Sequence, residues 1–195
     1  MNKWIRPAVL AALVLLAAGC SQKDPAAAAI DAAEGALQTV YEDAQKFVPE
    51  RYAEVKAELE GARKAFDEER YADAIAAVKE IPARAEELVR ISEQAKQKWL
   101  AELNTEWTTL SGSLPGQMAG VESRLAELGK MRKLPQGMDK QLIGEANAAF
   151  GSAKGAWDQA NSAFIAGDLE AAVTNARDVE AMTQHLMARL GMQAG

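Results

Sequence analysis

Apolar residues recur every three or four positions along most of the chain after residue 25. This spacing places them on one side of an α-helix and predicts a series of amphipathic helices. The first apolar stripe consists of Ile30, Ala33, Leu37, Val40, Ala44 and Phe47. Later stripes begin at Val48, Tyr71, Met118, Ile143 and Leu169, and they end at Phe66, Leu110, Leu128, Phe164 and Leu190. The chain is therefore predicted to be all-α.

Glycine and proline predict where these helices end. Residues 111–116, Ser-Gly-Ser-Leu-Pro-Gly, form the clearest predicted break, and residues 130–137 form a second loop. Residues 166–168, Ala-Gly-Asp, predict a turn between the last two helices. Pro82 lies inside the stripe that begins at Tyr71, so we expect it to kink that helix.

The chain aligns with itself, without a gap, at an offset of 98 residues. The alignment pairs Tyr52 with Phe150, Leu59 with Trp157, Phe66 with Phe164, Tyr71 with Leu169, Ala74 with Ala172, Ile81 with Val179 and Leu88 with Leu186. The alternative is a chance alignment of two similarly patterned helix pairs. We interpret the offset as two copies of one long helical hairpin. Phe66 and Phe164 are then expected just before equivalent turns, both largely buried.

These patterns predict an elongated bundle of two long antiparallel helical hairpins with coiled-coil-like seams. Residues 1–19 are a signal peptide, and residues 20–110 form the first hairpin region. Residues 111–137 are a loop-rich middle with a short helix, and residues 138–195 are the second hairpin. The seams are rich in alanine, which permits close approach of helices but buries little area per residue.

The first 20 residues carry the features of an export signal. Lys3 and Arg6 precede an uncharged apolar run of about 11 residues, too short for the roughly 20 that a spanning helix needs. Small residues then lead to Cys20, the only cysteine in the chain. The alternative is an ordinary signal peptide cleaved near Ala18, which would leave a free thiol.

Residues 17–20, Ala-Ala-Gly-Cys, resemble the lipobox of bacterial lipoproteins. The resemblance implies that Cys20 carries a diacylglyceryl group and an N-acyl chain, which together anchor the protein stably in a membrane. Ala17 departs from the pattern, because leucine is usual at that position. Ser21, where aspartate would favour inner-membrane retention in a Gram-negative cell, implies an outer-membrane lipoprotein that faces the periplasm.

Residues 164–173 and, more loosely, 66–75 resemble the helical hairpin of tetratricopeptide repeats. An aromatic residue ends one helix, Gly-Asp forms the turn, and a small alanine allows the next helix to pack closely. The 34-residue period of that family is absent. The motif Pro-Glu-Arg-Tyr at residues 49–52 is similar to one in an uncharacterised family of bacterial helical-hairpin lipoproteins. This resemblance implies the helical fold but no particular activity.

The composition excludes several classes of function. Loss of Lys3 and Arg6 with the signal leaves 20 of the 22 basic residues against 28 acidic ones, a net charge of −8. Such a charge argues against nucleic acid or anionic lipid as an electrostatic partner. A single cysteine also rules out a disulfide within the chain, so packing alone must stabilise the fold.

The sequence also offers little for catalysis, and we expect that the protein is not an enzyme. His185 is the only histidine, and we place it at the surface or boundary of the last helix. A zinc site of the usual kind or a Cys/His pair is therefore not expected. The chain lacks a Gly-x-Ser-x-Gly turn and a glycine-rich phosphate loop. Most acidic residues fall on the polar faces of helices. No cofactor is predicted.

Candidate partner-binding residues are Trp99 and the basic loop residues Lys130, Arg132 and Lys133. Trp107 and Trp157 lie in apolar stripes and are expected in the core. The leading hypothesis is a non-catalytic interaction or scaffold lipoprotein of the cell envelope, bound to another envelope protein or to itself. The alternative is a periplasmic binding module or holding chaperone for lipid or apolar ligands, and an envelope hydrolase is a third. An exposed groove over a filled core would favour the first hypothesis, and a large enclosed apolar pocket between the hairpins would favour the second.

Overall fold

A computed structural model describes residues 22–192 of the chain. Cys20 and the rest of the predicted signal lie outside these residues. Within them the protein is all-α, as predicted, and no strand is present. The helices are α1 (Lys23–Phe47), α2 (Pro49–Asp67), α3 (Tyr71–Val78), α4 (Ile81–Lys130), α5 (Lys140–Ile165) and α6 (Leu169–Arg189).

The chain divides into two compact units, the first unit Met1–Lys98 and the second unit Trp99–Gly195. The division falls within α4, not at the predicted loop-rich middle. In the first unit, α1, α2 and α3 contact one another. Their predicted stripes form its core, which includes Ile30, Leu37, Val55, Leu59, Val78 and Ile81.

The second unit is built from the later part of α4 together with α5 and α6. Its core includes Leu103, Trp107, Leu114, Val121, Leu128, Phe150, Val179 and Leu186. Polar contacts also join this part of α4 to its neighbours. Among them, the Arg124 guanidinium donates to the Leu190 carbonyl at 3.3 Å, and Lys154 pairs with Glu122 at 3.2 Å.

The predicted break at residues 111–116 is wrong, because α4 passes through this segment without interruption. Leu114, within it, is fully buried, and Leu110 and Met118 lie buried one turn to either side. Burial of these side chains outweighs the local cost of glycine, about 1 kcal/mol, and of proline, about 3 kcal/mol, inside a helix. The predicted short helix from Met118 to Leu128 is the last part of α4.

Replacing Pro115 by alanine is expected to stabilise the protein by about 1–3 kcal/mol. Pro115 lies exposed inside α4, where its ring removes one backbone hydrogen bond and crowds the preceding turn. Alanine restores the donor and loses no burial. Thermal or denaturant unfolding of the two proteins measures the change. An equal or lower stability for the variant would contradict a continuous helix here.

The stripe that contains Pro82 is interrupted just before this proline, so Pro82 lies at the start of a helix and not in the interior, where the sequence predicts a kink. Helix α3 ends at Val78 and α4 begins at Ile81, so Pro82 lies in the first turn of α4. A backbone N–H in the first turn has no partner within its helix, and proline is favoured there. The apolar stripe continues across the two helices, which is why the sequence predicts a single helix here.

The turns after α2 and α5 have the same hydrogen bonds at the predicted 98-residue offset. The Glu69 N–H donates to the Phe66 carbonyl at 2.9 Å, and the Gly167 N–H donates to Phe164 at 3.0 Å. Both donor residues have positive φ, +59° at Glu69 and +83° at Gly167. The turns are therefore equivalent, as predicted from the repeat.

Small residues beside these turns are also equivalent. Ala62 and Ala74 in the first unit and Ala160 and Ala172 in the second are fully buried. An alanine at each position lets the helices that flank the turn approach closely. Among the described residues, none of the helices has a stretch long and apolar enough to cross a membrane.

Candidate interaction surface

Phe164 is exposed, which corrects the prediction that both phenylalanines of the repeat are largely buried. The exposed fraction of Phe164 is 44%, whereas Phe66 is half-buried. Phe66 meets the Tyr71 ring edge-on with 5.2 Å between centroids. Leu169 stands at the position equivalent to Tyr71, so Phe164 lacks this aromatic neighbour.

Phe164 instead stacks on an aromatic ring from α4. The centroids of Phe164 and Trp107 are 4.6 Å apart, and their planes differ by 16°. Trp157 stacks on Trp107 as well, at 5.8 Å and 17°. Trp107 is buried in the core, as predicted, with 6% of its surface exposed. Trp157 is half-buried and packs against the core. These rings form a platform that supports Phe164 from one side.

Ile165 follows Phe164 and is 85% exposed, the last residue of α5. Its counterpart in the first unit is Asp67, the last residue of α2. Because an aspartate ends the equivalent helix before the same turn, the turn does not require an apolar residue here. Phe164 and Ile165, named here the α5 tip, are adjacent exposed apolar residues at the end of α5. Sequence reasoning missed Ile165, although the offset alignment sets it opposite Asp67.

Acidic residues flank the α5 tip. Asp158 lies two helical turns before Ile165 on the same side of α5, and it makes no ion pair within residues 22–192. Asp168 follows in the turn, where its carboxylate caps α6 by accepting from the Ala171 N–H at 3.0 Å.

An ion pair holds α6 against α4 one residue from Trp107. Arg177 donates two hydrogen bonds to the Glu106 carboxylate, each 2.5 Å long. These hydrogen bonds hold the pKa of Glu106 below its ordinary value and raise the pKa of Arg177. Two parallel bonds fix orientation as well as distance. Both groups of the pair therefore remain charged, and the pair helps to position α4, the helix that contains Trp107.

The predicted partner-binding residues do not form one site. Trp99 is half-buried against the core of the second unit. It is separated from Lys130, the last residue of α4, by 31 residues of helix, about 46 Å at 1.5 Å per residue. Arg132 lines a pocket of about 570 Å³ beside the loop, whereas Lys133 is exposed and does not line it.

Another pocket, of about 430 Å³, lies between α1 and α4 in the first unit. Its lining is mainly polar and includes Asp43 and Lys96, whose ion pair measures 3.2 Å, and the buried Ser92 hydroxyl. Both pockets are open to solvent. Within residues 22–192, no group of three or more histidine, cysteine or acidic side chains is placed to hold a metal ion. His185 is exposed on α6, as expected.

No family model matches the chain, and no curated protein or solved structure shows significant similarity to it. A function must therefore be argued from the geometry of its own residues.

Proposed function

We propose that this protein is a non-catalytic lipoprotein of the bacterial cell envelope that docks another envelope protein through the α5 tip. The observation that carries the proposal is Ile165, which is 85% exposed beside Phe164 at a turn whose first copy ends in Asp67. Single exposed apolar residues are common on protein surfaces. Here two exposed apolar residues are adjacent, and one of them is supported by a buried indole, which makes the α5 tip a candidate interaction site.

The α5 tip is held in place before any partner arrives. Phe164 rests on the buried Trp107 ring, and the turn beyond Ile165 is closed by backbone hydrogen bonds. Asp168 caps the helix that follows. A surface ordered in advance loses little conformational entropy on binding, which favours affinity for a given contact area.

Charge defines the partner that suits this surface. Asp158 and Asp168 flank the apolar pair, and the chain without its predicted signal has a net charge of −8. The complementary partner has an apolar recess bordered by basic residues, because opposite charges guide encounter and suppress wrong pairing. Docking of one α5 tip against another would bring like charges together. We therefore propose a different protein as the partner, not a second copy of the chain.

The proposed placement rests on the lipobox-like residues 17–20. Lipid at Cys20 anchors the chain, and Ser21 directs it to the outer membrane, facing the periplasm. We propose further that α2 with α3, and α5 with α6, act as two antiparallel hairpins. The fully buried alanines on both sides of each turn support this arrangement.

Replacing Cys20 by serine is expected to abolish lipid labelling. Cells that produce the wild-type chain and receive a fatty-acid analogue should show a labelled protein in the membrane fraction. The C20S variant should remain unlabelled. If the wild-type chain is also unlabelled and soluble, the proposed anchor is wrong, whereas the docking proposal is tested separately.

Replacing Ile165 by aspartate is expected to lower partner capture at least about tenfold. Aspartate is the residue at the equivalent position of the first unit, Asp67, so the fold of the variant should remain intact. Tagged proteins are crosslinked in cells of the producing organism, and captured proteins are quantified by mass spectrometry. The proposal requires that one partner be specifically depleted in the I165D sample while the thermal unfolding midpoint stays unchanged.

Val89 provides the matched control. It is an exposed apolar residue, 54% exposed, on the part of α4 that belongs to the first unit. V89D makes the same chemical change at a different surface and should leave capture intact. Equal loss in both variants, or no loss in I165D, would contradict docking through the α5 tip.

A further inference from the structure

The loop between α4 and α5 contains a pocket with an apolar floor. Leu128, buried at the end of α4, forms one side of it. Leu134 and Met138 from the loop and Ile143 from α5 are half-buried and complete the apolar part. The pocket measures about 570 Å³, within the range of about 300–1,000 Å³ that is usual for small-molecule sites.

Basic side chains border the same pocket. Arg132 and Lys140 line it, and Lys130 and Lys133 lie close by in sequence. The one acidic residue of the lining, Asp139, is engaged elsewhere, because its carboxylate accepts from the Leu142 N–H at 2.8 Å to cap α5. This part of an acidic protein is therefore locally basic.

Arg132 differs from the other arginines that the structure describes. Each of the others forms an ion pair with a carboxylate: Arg51, Arg63, Arg70, Arg84, Arg90, Arg124, Arg177 and Arg189. Arg132 forms none within residues 22–192. A guanidinium presents a planar set of donors that matches a carboxylate or phosphate, and here Arg132 lines the same pocket as the apolar side chains.

We propose that this pocket binds a small amphiphile with one anionic group, a carboxylate or phosphate, and an apolar chain. Arg132 and Lys140 hold the anionic group, and Leu128, Leu134, Met138 and Ile143 cover the chain. The site is separate from the α5 tip and goes beyond the proposed docking function. Both halves of the ligand are needed, because the cations lie at an open surface and the apolar floor supplies no polar partner.

Methionine methyl groups report binding at this site directly. Met131 and Met138 line the pocket, whereas Met182 is an exposed residue of α6 outside its lining. A chain of residues 21–195, which retains every contact described above, is labelled with ¹³C at the methionine methyls. Dodecyl phosphate and dodecanoate are then added below the concentrations at which they form micelles. We expect saturable shifts at Met131 and Met138 and none at Met182.

Variants separate specific binding from general attraction of anions. R132Q combined with K140Q should weaken binding of dodecyl phosphate at least about tenfold. K133Q removes one positive charge from the same loop but outside the lining, so the affinity of this variant should stay within about twofold of the wild type. Dodecanol and inorganic phosphate should each bind at least about tenfold more weakly than dodecyl phosphate, since each supplies half of the ligand.

Four results would overturn the proposal. The first is the absence of shifts at Met131 and Met138 with both amphiphiles, and the second is equal weakening of binding by K133Q and by the double variant. The third is binding of inorganic phosphate as tight as that of dodecyl phosphate. The fourth is binding of the protein to anionic phospholipid vesicles without binding of the monomeric amphiphiles. The last result would assign the basic loop to a membrane surface.

Discussion

Replacing Trp107 by alanine is expected to lower the free energy of unfolding of the second unit by about 3–5 kcal/mol. Its indole is buried in the core between α4 and α5 and stacks on both Trp157 and Phe164. Removal of a large buried aromatic loses its transfer free energy and leaves a cavity that the surrounding helices fill only in part. The stacking contacts, each about 0.5–1.5 kcal/mol, are lost as well.

Phe164→Ala provides the comparison for Trp107. The 44% exposure of Phe164 means that much of its ring already contacts water, so its removal should cost only about 1 kcal/mol. Unfolding in denaturant can be followed by tryptophan fluorescence, because Trp99, Trp107 and Trp157 all lie in the second unit. If W107A and F164A cost the same, the ring of Trp107 is not the platform that the structure describes.

Replacing Ala172 by leucine is expected to destabilise the second unit by about 1–3 kcal/mol. Ala172 is fully buried where α6 leaves the turn, and the added methyl groups must displace packed neighbours. Ala181, exposed on the same helix, is the matched control, and A181L should change stability by less than about 0.5 kcal/mol. Thermal or denaturant unfolding gives both values.

The equivalent change in the first unit tests the repeat itself. Ala74 occupies the position of Ala172 at the 98-residue offset and is fully buried too. A74L should therefore destabilise the first unit to a similar degree. A neutral A74L beside a costly A172L would show that the two turns share backbone hydrogen bonds but not helix packing.

The spacing of apolar residues predicts the helices well, because burial of one side of a helix depends on local periodicity. Ile30, Leu37 and Leu59 are core residues in the structure, as their stripes predict. Serine, glycine and proline at residues 111–116 are local signals for a break, so the sequence predicts a loop where the structure has a helix. The deciding contribution comes from Leu114, which belongs to a core shared with helices more than 25 residues away along the chain.

The candidate surface was harder to predict than the fold. The exposure of Phe164 follows from its contact with Trp107, on a different helix, and from leucine at the position where the first unit has Tyr71. Ile165 could have been found by comparing the two copies residue by residue. The pocket beside Arg132 requires Leu128 and Ile143, which end one helix and begin another, to lie side by side. Periodicity alone does not supply such a contact.

Photo-crosslinking from position 165 tests the central claim most directly. A photoreactive amino acid replaces Ile165 in one protein and Asp67, the equivalent residue of the first turn, in another, and both are irradiated in cells of the producing organism. Docking through the α5 tip predicts one discrete protein adduct from position 165 and none from position 67. The absence of an adduct at 165, or the same adduct from both positions, would contradict the account.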